Sequence, residues 1–284
     1  MSDVPPPILD GHPAPAAPVE VPRWRTVLML LVVGAYPLAV GVISARGIQG
    51  AAAVSGTALP RTTSGLLAVC AENLGIFGVL FVLTWLIGRP TRCELHASGG
   101  PRLREWLLGM AHSVTLRIGL AGVALAALGI AAAVLSLKGR PLDALDGVRP
   151  QVEHLLDPAA LRQPVYLLLT MTLVSFLVAG LREELWRAVV IAGILRLHPG
   201  DPRALGPRLW AIGVAALIFG FGHLPQGWGG VGLTAVLGMG LGAILVFHRS
   251  LWVAVLAHGF FDATSFALIR VADQMGALDS MLGR

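Results

Sequence analysis

Apolar runs long enough to cross about 30 Å of hydrocarbon fall at 26–45, 66–88, 114–137, 165–197, 207–224, 229–247 and 251–272. Each predicts a membrane helix, so the fold class is all-α, a polytopic transmembrane helical bundle of about seven to eight membrane helices. The upper figure comes from the fourth window, which at about 33 residues is long for one span. Gly180 is the point at which it would divide into two helical segments. Between the windows, "HPGDPRALGP" (198–207) and "LPQGWGG" (224–230) carry the Gly and Pro that end helices. Trp24, Trp85, Trp210, Trp228 and Trp252 stand at window ends, the place of an aromatic belt, whereas Trp186 does not. "PRLREWLLGMAH" (101–112), with apolar residues interleaved among charges, is expected to lie along the membrane surface before the third span.

Composition agrees with the pattern. Only 13% of the 284 residues are charged and 55% are hydrophobic, against about a quarter charged in soluble domains. Residues 1–25 are proline-rich and read as a disordered tail, and 273–284 as a C-terminal tail. No charged start, short apolar core and small-residue cleavage site opens the chain, so the first apolar span is expected to be retained. Lys138 is the single lysine among 21 basic residues. That bias, with abundant Ala, Gly and Pro, suggests a GC-rich bacterial genome and an inner-membrane location. Arginines placed between spans favour a cytoplasmic N-terminus mildly. The net charge of +5 forms no basic stripe, so nucleic acid is not an expected partner and the lipid bilayer is. Cys70 lies in an apolar span and Cys93 in a basic loop, which makes neither a disulfide framework nor a metal cluster.

The fourth window raises the chemical question. "REELWR" (182–187) puts four formal charges into an apolar run, where each costs roughly 3 kcal/mol at a bilayer centre on insertion scales. Their signs cancel, and the spacing lets Glu183 sit one turn from Arg187. Two further motifs follow in order: Phe219 and His223 in "FGFGH", then His258 and Asp262 in "HGFFD". Each i, i+4 pair shares a helix face, so antiparallel helices can bring Glu183, Glu184, Arg187, His223, His258 and Asp262 to one interior point. Ionisable residues within a membrane face the bundle interior or a wet cavity and mark function. Glu72 and Arg117 are read as near-interface residues without a role, and Met29, Met110, Met171 and Met239 as packing.

The ordered set E-E-x-x-x-R, F-x-x-x-H and H-x-x-x-N/D on successive membrane helices resembles the CPBP intramembrane proteases. That group includes CAAX prenyl proteases and bacteriocin-processing enzymes and is also called the Abi domain. The likeness covers about 165–270, and 165–272 is read as the catalytic core behind N-terminal helices at 26–164. Ser250, Leu251 and Trp252 in "HRSLWVAVLAH" match a stretch that the family often shows before its last motif. The resemblance implies an endopeptidase acting on peptide or protein substrates in or at the membrane. Glu183 with His223 would activate water, His258 and residue 262 would stabilise the oxyanion, and Glu184 and Arg187 would hold the base and its helix. A Glu beside an Arg can be tuned as a general base. Asp262 stands where many members carry Asn, and an ionised Asp accepts hydrogen bonds but cannot donate one to an oxyanion. Two readings of the chemistry therefore stay open. One is metal-free. The other makes His223, His258, Glu183 and Asp262 ligands of a catalytic metal such as Zn2+ with an open water position.

Other intramembrane protease types fail on residues. There is no H-E-x-x-H, so "LDG" at 145–147 is a coincidence, and no G-x-G-D pair or G-x-S-x nucleophile lies in a span. No Ser, Thr or Cys within the motifs offers a covalent route. The rival readings are a non-catalytic scaffold or immunity protein that keeps the polar site for folding, and a small transporter. The absence of an internal repeat counts against the transporter.

Overall fold

A computed structural model describes residues 21–50, 59–97, 99–143, 145, 150–151 and 155–277. Most of the proline-rich tail, Asp146 and Gly147 of "LDG", and residues 278–284 lie outside the described residues. Seven long helices make up the described bundle: α1 Arg23–Gly50, α2 Thr63–Gly88, α3 Leu103–Leu137, α4 Pro164–Leu197, α5 Leu205–Phe221, α6 Gly227–His248 and α7 Leu251–Gln274. By length and composition, α2, α3, α4, α6 with the turn before it, and α7 can each cross a membrane. The all-α polytopic bundle expected from the apolar windows is thus the fold observed.

α4 runs through the centre. Its residues Ala188, Val189, Val190, Ile191 and Ala192 are all buried, and burial of successive positions, not one stripe, is what an interior helix requires. α1 packs against it through Met29 and Val33. Helices approach closely where side chains are absent, as expected when packing in lipid rests on small residues. A Cβ at Gly193 would come within 2.7 Å of Leu30, and one at Gly220 within 2.7 Å of the Val231 carbonyl on α6. α3 is the peripheral helix, with none of its most apolar window buried, and Gly109 seats it against Leu256 and Ala257 of α7.

Three expectations are corrected. "PRLREWLLGMAH" is not a separate surface segment: from Leu103 onward it forms the first turns of α3, one continuous 35-residue helix. Glu105 closes its N-terminus by accepting from the Arg102 N–H at 2.9 Å. The fourth window does not divide at Gly180 either. Leu181 and Arg182 keep right-handed helical angles, and the backbone widens into a π-helix over Thr170–Leu181. The Ser175 hydroxyl donates to the Thr170 carbonyl at 2.7 Å within this segment. Gly180 serves close approach instead, because a Cβ there would lie 2.9 Å from the Val255 carbonyl of α7. Lastly, Arg117, read as without a role, has a structural one. It donates to the Phe261 carbonyl at 2.7 Å, Thr264 Oγ1 at 2.7 Å and Ser265 Oγ at 3.1 Å, tying α3 to α7.

One end of the bundle is rich in arginine. Arg23 donates to the Leu197 carbonyl, Arg25 to Leu86 and Arg196 to Gly88. Each cation satisfies carbonyls that a helix C-terminus leaves without intrahelical partners.

Candidate active site

α4, α5 and α7 deliver the polar motifs to a single cavity of about 580 Å3. Glu183, His223, His258 and Asp262 all line it. Glu184 and Arg187 stand behind, fully buried. The six residues picked from sequence are therefore gathered in one place, four facing the cavity and two backing it. His223 reaches that depth because α5 is only 17 residues long. At 1.5 Å per residue it spans about 25 Å, short of the hydrocarbon thickness. The chain then turns through Leu224–Gln226 into α6, leaving His223 at the turn.

The pairing of charges differs from the one that spacing suggests. Glu183 does not pair with Arg187 one turn away. It accepts from Arg182 Nη2 at 2.6 Å, and Arg182 Nη1 donates to Asn73 Oδ1 on α2 at 2.9 Å. Arg187 instead pairs with Glu184, three residues back, and lays its guanidinium 4.4 Å from the centre of the Phe219 ring. Among the described residues its Nε and Nη2 have no hydrogen-bond partner, so the aromatic face is what meets the rest of that cation.

His258 joins the two layers. Its Nδ1 donates to Glu184 Oε1 at 2.8 Å, since a carboxylate only accepts. That bond commits Nδ1–H and turns Nε2 toward the cavity, 3.8 Å from Glu183 Oε2 and 3.7 Å from Asp262 Oδ2. Both separations exceed a direct hydrogen bond. His223 follows the same logic with the backbone: Nδ1 donates to the Phe219 carbonyl at 3.0 Å, so in the neutral ring Nε2 carries the lone pair. Phe219, the apolar member of its motif, packs edge-on against both imidazoles, with centroids 4.7 Å from His223 and 6.2 Å from His258.

Asn73 and Arg117 were not selected by the motifs. Asn73 sits on α2, far from them in sequence, and its signal was a lone carboxamide in an apolar run. Arg117 brackets Asp262 from outside the cavity, with its guanidinium 4.5 Å over the Phe261 ring. Ser265 and Thr234 also line the cavity, but each hydroxyl donates to a carbonyl of its own helix, Phe261 at 2.8 Å and Gly230 at 2.5 Å. Among the described residues neither is paired with a base. Ser250, from the stretch before the last motif, caps α7 by accepting from the Val253 N–H.

A metal would need converging donors. Among the described residues no three His, Cys, Asp or Glu side chains are arranged to hold a metal ion. His258 and His223 each commit Nδ1, to Glu184 and to the Phe219 carbonyl, which is also how metal-bound histidines are held; it is the placement of the donors that falls short. The four residues considered as ligands do not form an assembled set here, and no step below runs through a metal.

The order of the motifs, their depth and their shared cavity now meet a comparison with known families. Residues 165–264 match the family described as type II CAAX prenyl endopeptidase Rce1-like. This segment is a CPBP-family domain. It spans α4, α5, α6 and the first half of α7, and so contains every motif residue lining the cavity. No curated protein and no solved structure matches the chain. The Rce1-like domain belongs to a family of endopeptidases, and its helices are long and apolar enough for a multi-pass membrane protein. Asn73 lies outside the matched segment, so the polar site draws on more of the chain than the domain alone.

Proposed function

We propose that the chain is a membrane-embedded endopeptidase that hydrolyses peptide bonds with an activated water, Glu183 acting as the base. The observation that carries this reading is the position of Glu183. It lines the cavity, is held by Arg182 at the cavity wall, and faces the same space as His258 Nε2.

In this reading Glu183, assisted by the lone pair at His223 Nε2, removes a proton from water as the water oxygen bonds to the peptide carbonyl carbon. Charge develops on the carbonyl oxygen, where His258 in its protonated form donates from Nε2. The carbon–nitrogen bond then breaks, and the proton held by Glu183 passes to the leaving amine. Glu184, anchored by Arg187, keeps His258 in the orientation that presents Nε2. Asp262 stands 3.7 Å from the same nitrogen. Replacing it by Asn separates two roles: retained activity means that a hydrogen-bond donor suffices there, and loss means that the negative charge is used.

Substrates are peptides or proteins in or at the membrane, reached between helices or from one face. A prenylated CAAX peptide is not the expected substrate if the host is a bacterium without protein prenylation. The test is cleavage of a reporter peptide library by detergent-purified protein. Glu183→Gln and Glu183→Ala are each expected to lower kcat by about 100- to 10,000-fold, the contribution of a general base. Activity that persists in both variants would remove Glu183 from the chemistry and return the cluster to a structural role. A chelator added to the same assay tests the metal alternative.

A further inference from the structure

The arginine-rich end carries a second cleft, which shares no lining residue with the motif cavity. It is an open cleft of about 570 Å3 lined by Arg92, Cys93, His96, Ala97, Gly99 and Arg249, of which Arg92, Cys93, Gly99 and Arg249 are exposed. Two chain segments build it, the loop between α2 and α3 and the tight turn between α6 and α7. The Leu251 N–H binds the His96 carbonyl at 2.9 Å and locks the two together.

Both segments adopt backbone that side chains disfavour. His96 and Arg249 each have φ of 52°, without the freedom of glycine. Arg249 takes its conformation as the left-handed C-cap of α6, a common helix ending, and His96 takes its own in the loop before α3. The carboxylate in the loop, Glu94, is taken by Arg196 in two contacts of 2.6 Å and by Thr91. Among the described residues neither Arg92 nor Arg249 has a salt-bridge partner. The result registers on His96, which is held below its usual 6.5, first by burial and then by the charges of Arg249 and of Arg208 on α5. Like charges gathered without a counter-charge repel one another, and a bound anion would remove that repulsion.

The chemistry of the lining narrows the anion. Two guanidinium groups suit an oxyanion with several oxygens, each able to take a two-pronged contact. The level in the membrane narrows it further. Trp252 donates from Nε1 to the Gly99 carbonyl at 2.6 Å on the rim, in the first turn of α7, and indoles so placed lie at the depth of lipid headgroups.

We propose that this cleft is a phosphate site, built by Arg92 and Arg249 with His96, that takes the phosphodiester of an anionic lipid headgroup or a free phosphate. Occupancy would fasten the loop between α2 and α3 to the start of α7, the helix that carries His258. The site stands on its own geometry and does not depend on the peptidase reading.

Native mass spectrometry of the full chain in detergent, titrated with phosphatidylglycerol and with phosphatidylcholine, tests it. Phosphatidylglycerol should be retained in preference. Arg92→Gln and Arg249→Gln should each weaken that retention about tenfold, as expected for loss of a charge-assisted contact. Arg104→Gln, an exposed arginine at the same end but outside the cleft, should change it by no more than about twofold. Arg92 is exposed on its loop, so its replacement reads binding without disturbing a packed core. Competition by millimolar inorganic phosphate would identify a soluble phosphate as the occupant, and failure to compete would identify the headgroup. Equal loss in all three variants, or equal retention of phosphatidylcholine, would overturn the proposal in favour of diffuse surface attraction.

Discussion

Replacing Arg187 by Met should destabilise the protein far more than loss of a hydrogen bond in a membrane would. Both partners of the Arg187–Glu184 pair are fully buried. Removing the cation leaves the Glu184 carboxylate with His258 Nδ1 as its remaining donor, since Oε2 already has none. Breaking a buried pair from one side costs about 3–5 kcal/mol because it strands a charge, whereas side-chain hydrogen bonds between membrane helices average about 0.6 kcal/mol. The gap is wide enough to decide the matter. Unfolding in mixed micelles followed by far-UV circular dichroism would measure Arg187→Met, Glu184→Gln and the double variant. The double variant removes both charges and should cost less than the sum of the singles by about 2 kcal/mol or more, within the range of coupling between contacting groups. Additive singles, or an Arg187→Met loss under about 1 kcal/mol, would refute the claim that the pair balances buried charge.

Asn73→Ala removes the bond that steadies Arg182 against Glu183. It is expected to lower kcat for reporter cleavage about tenfold with KM unchanged, the pattern for an interaction that matters to the transition state. Gly180→Ala would push a Cβ to 2.9 Å from the Val255 carbonyl and 3.1 Å from that of Ser175. Backbone cannot yield cheaply there, so about 1–3 kcal/mol should be lost, while Gly213→Ala, with open space around it, should be neutral or stabilising. His96 titrates below its usual 6.5 in the fold, so the unfolded chain binds its proton first as pH falls. Its contribution to stability is complete above pH 6.5 and is lost below it, toward the folded value. Thermal unfolding of the wild type against His96→Gln between pH 7.5 and pH 5.5, a window chosen about that value, should show a downward slope that the variant flattens.

The apolar windows made the bundle legible because lipid imposes one rule on all of them: a run of apolar residues must satisfy its own backbone, which a helix does. The motif faces were legible for a related reason, since i, i+4 spacing fixes a shared side irrespective of tertiary detail. Pairing was another matter. Spacing allows Glu183 to reach Arg187, but it equally allows Glu184 to reach it from i, i+3. Which contact forms depends on neighbours from other helices, Asn73 drawing Arg182 to Glu183 and His258 drawing Glu184 inward. The π-helical widening over Thr170–Leu181 was hidden as well, because apolar residues with interspersed Thr and Ser read alike at either pitch. The structural role of Arg117 was hidden too. Its three acceptors lie on α7, and no local pattern announces a partner so far along the chain.

The original oddity, four charges inside an apolar run, resolves into a gradient of exposure. Arg187 and Glu184 are sealed at 0%, and the His258 side chain is nearly so at 3%. Arg182 and Glu183 reach 15% and 17%, and Asp262 26%. A cluster kept for folding alone has no reason to open: each exposed polar atom weakens the pairs that hold it, and sealing both pairs would serve packing better. Here the layer that needs only to be rigid is closed, and the layer that must meet a substrate faces a cavity. His258 belongs to both, with one nitrogen committed to the sealed side and the other turned outward. The sealed pair thus spends its burial on the aim of a single imidazole, which ties the energetic cost of charge in the membrane to the chemistry proposed at Glu183.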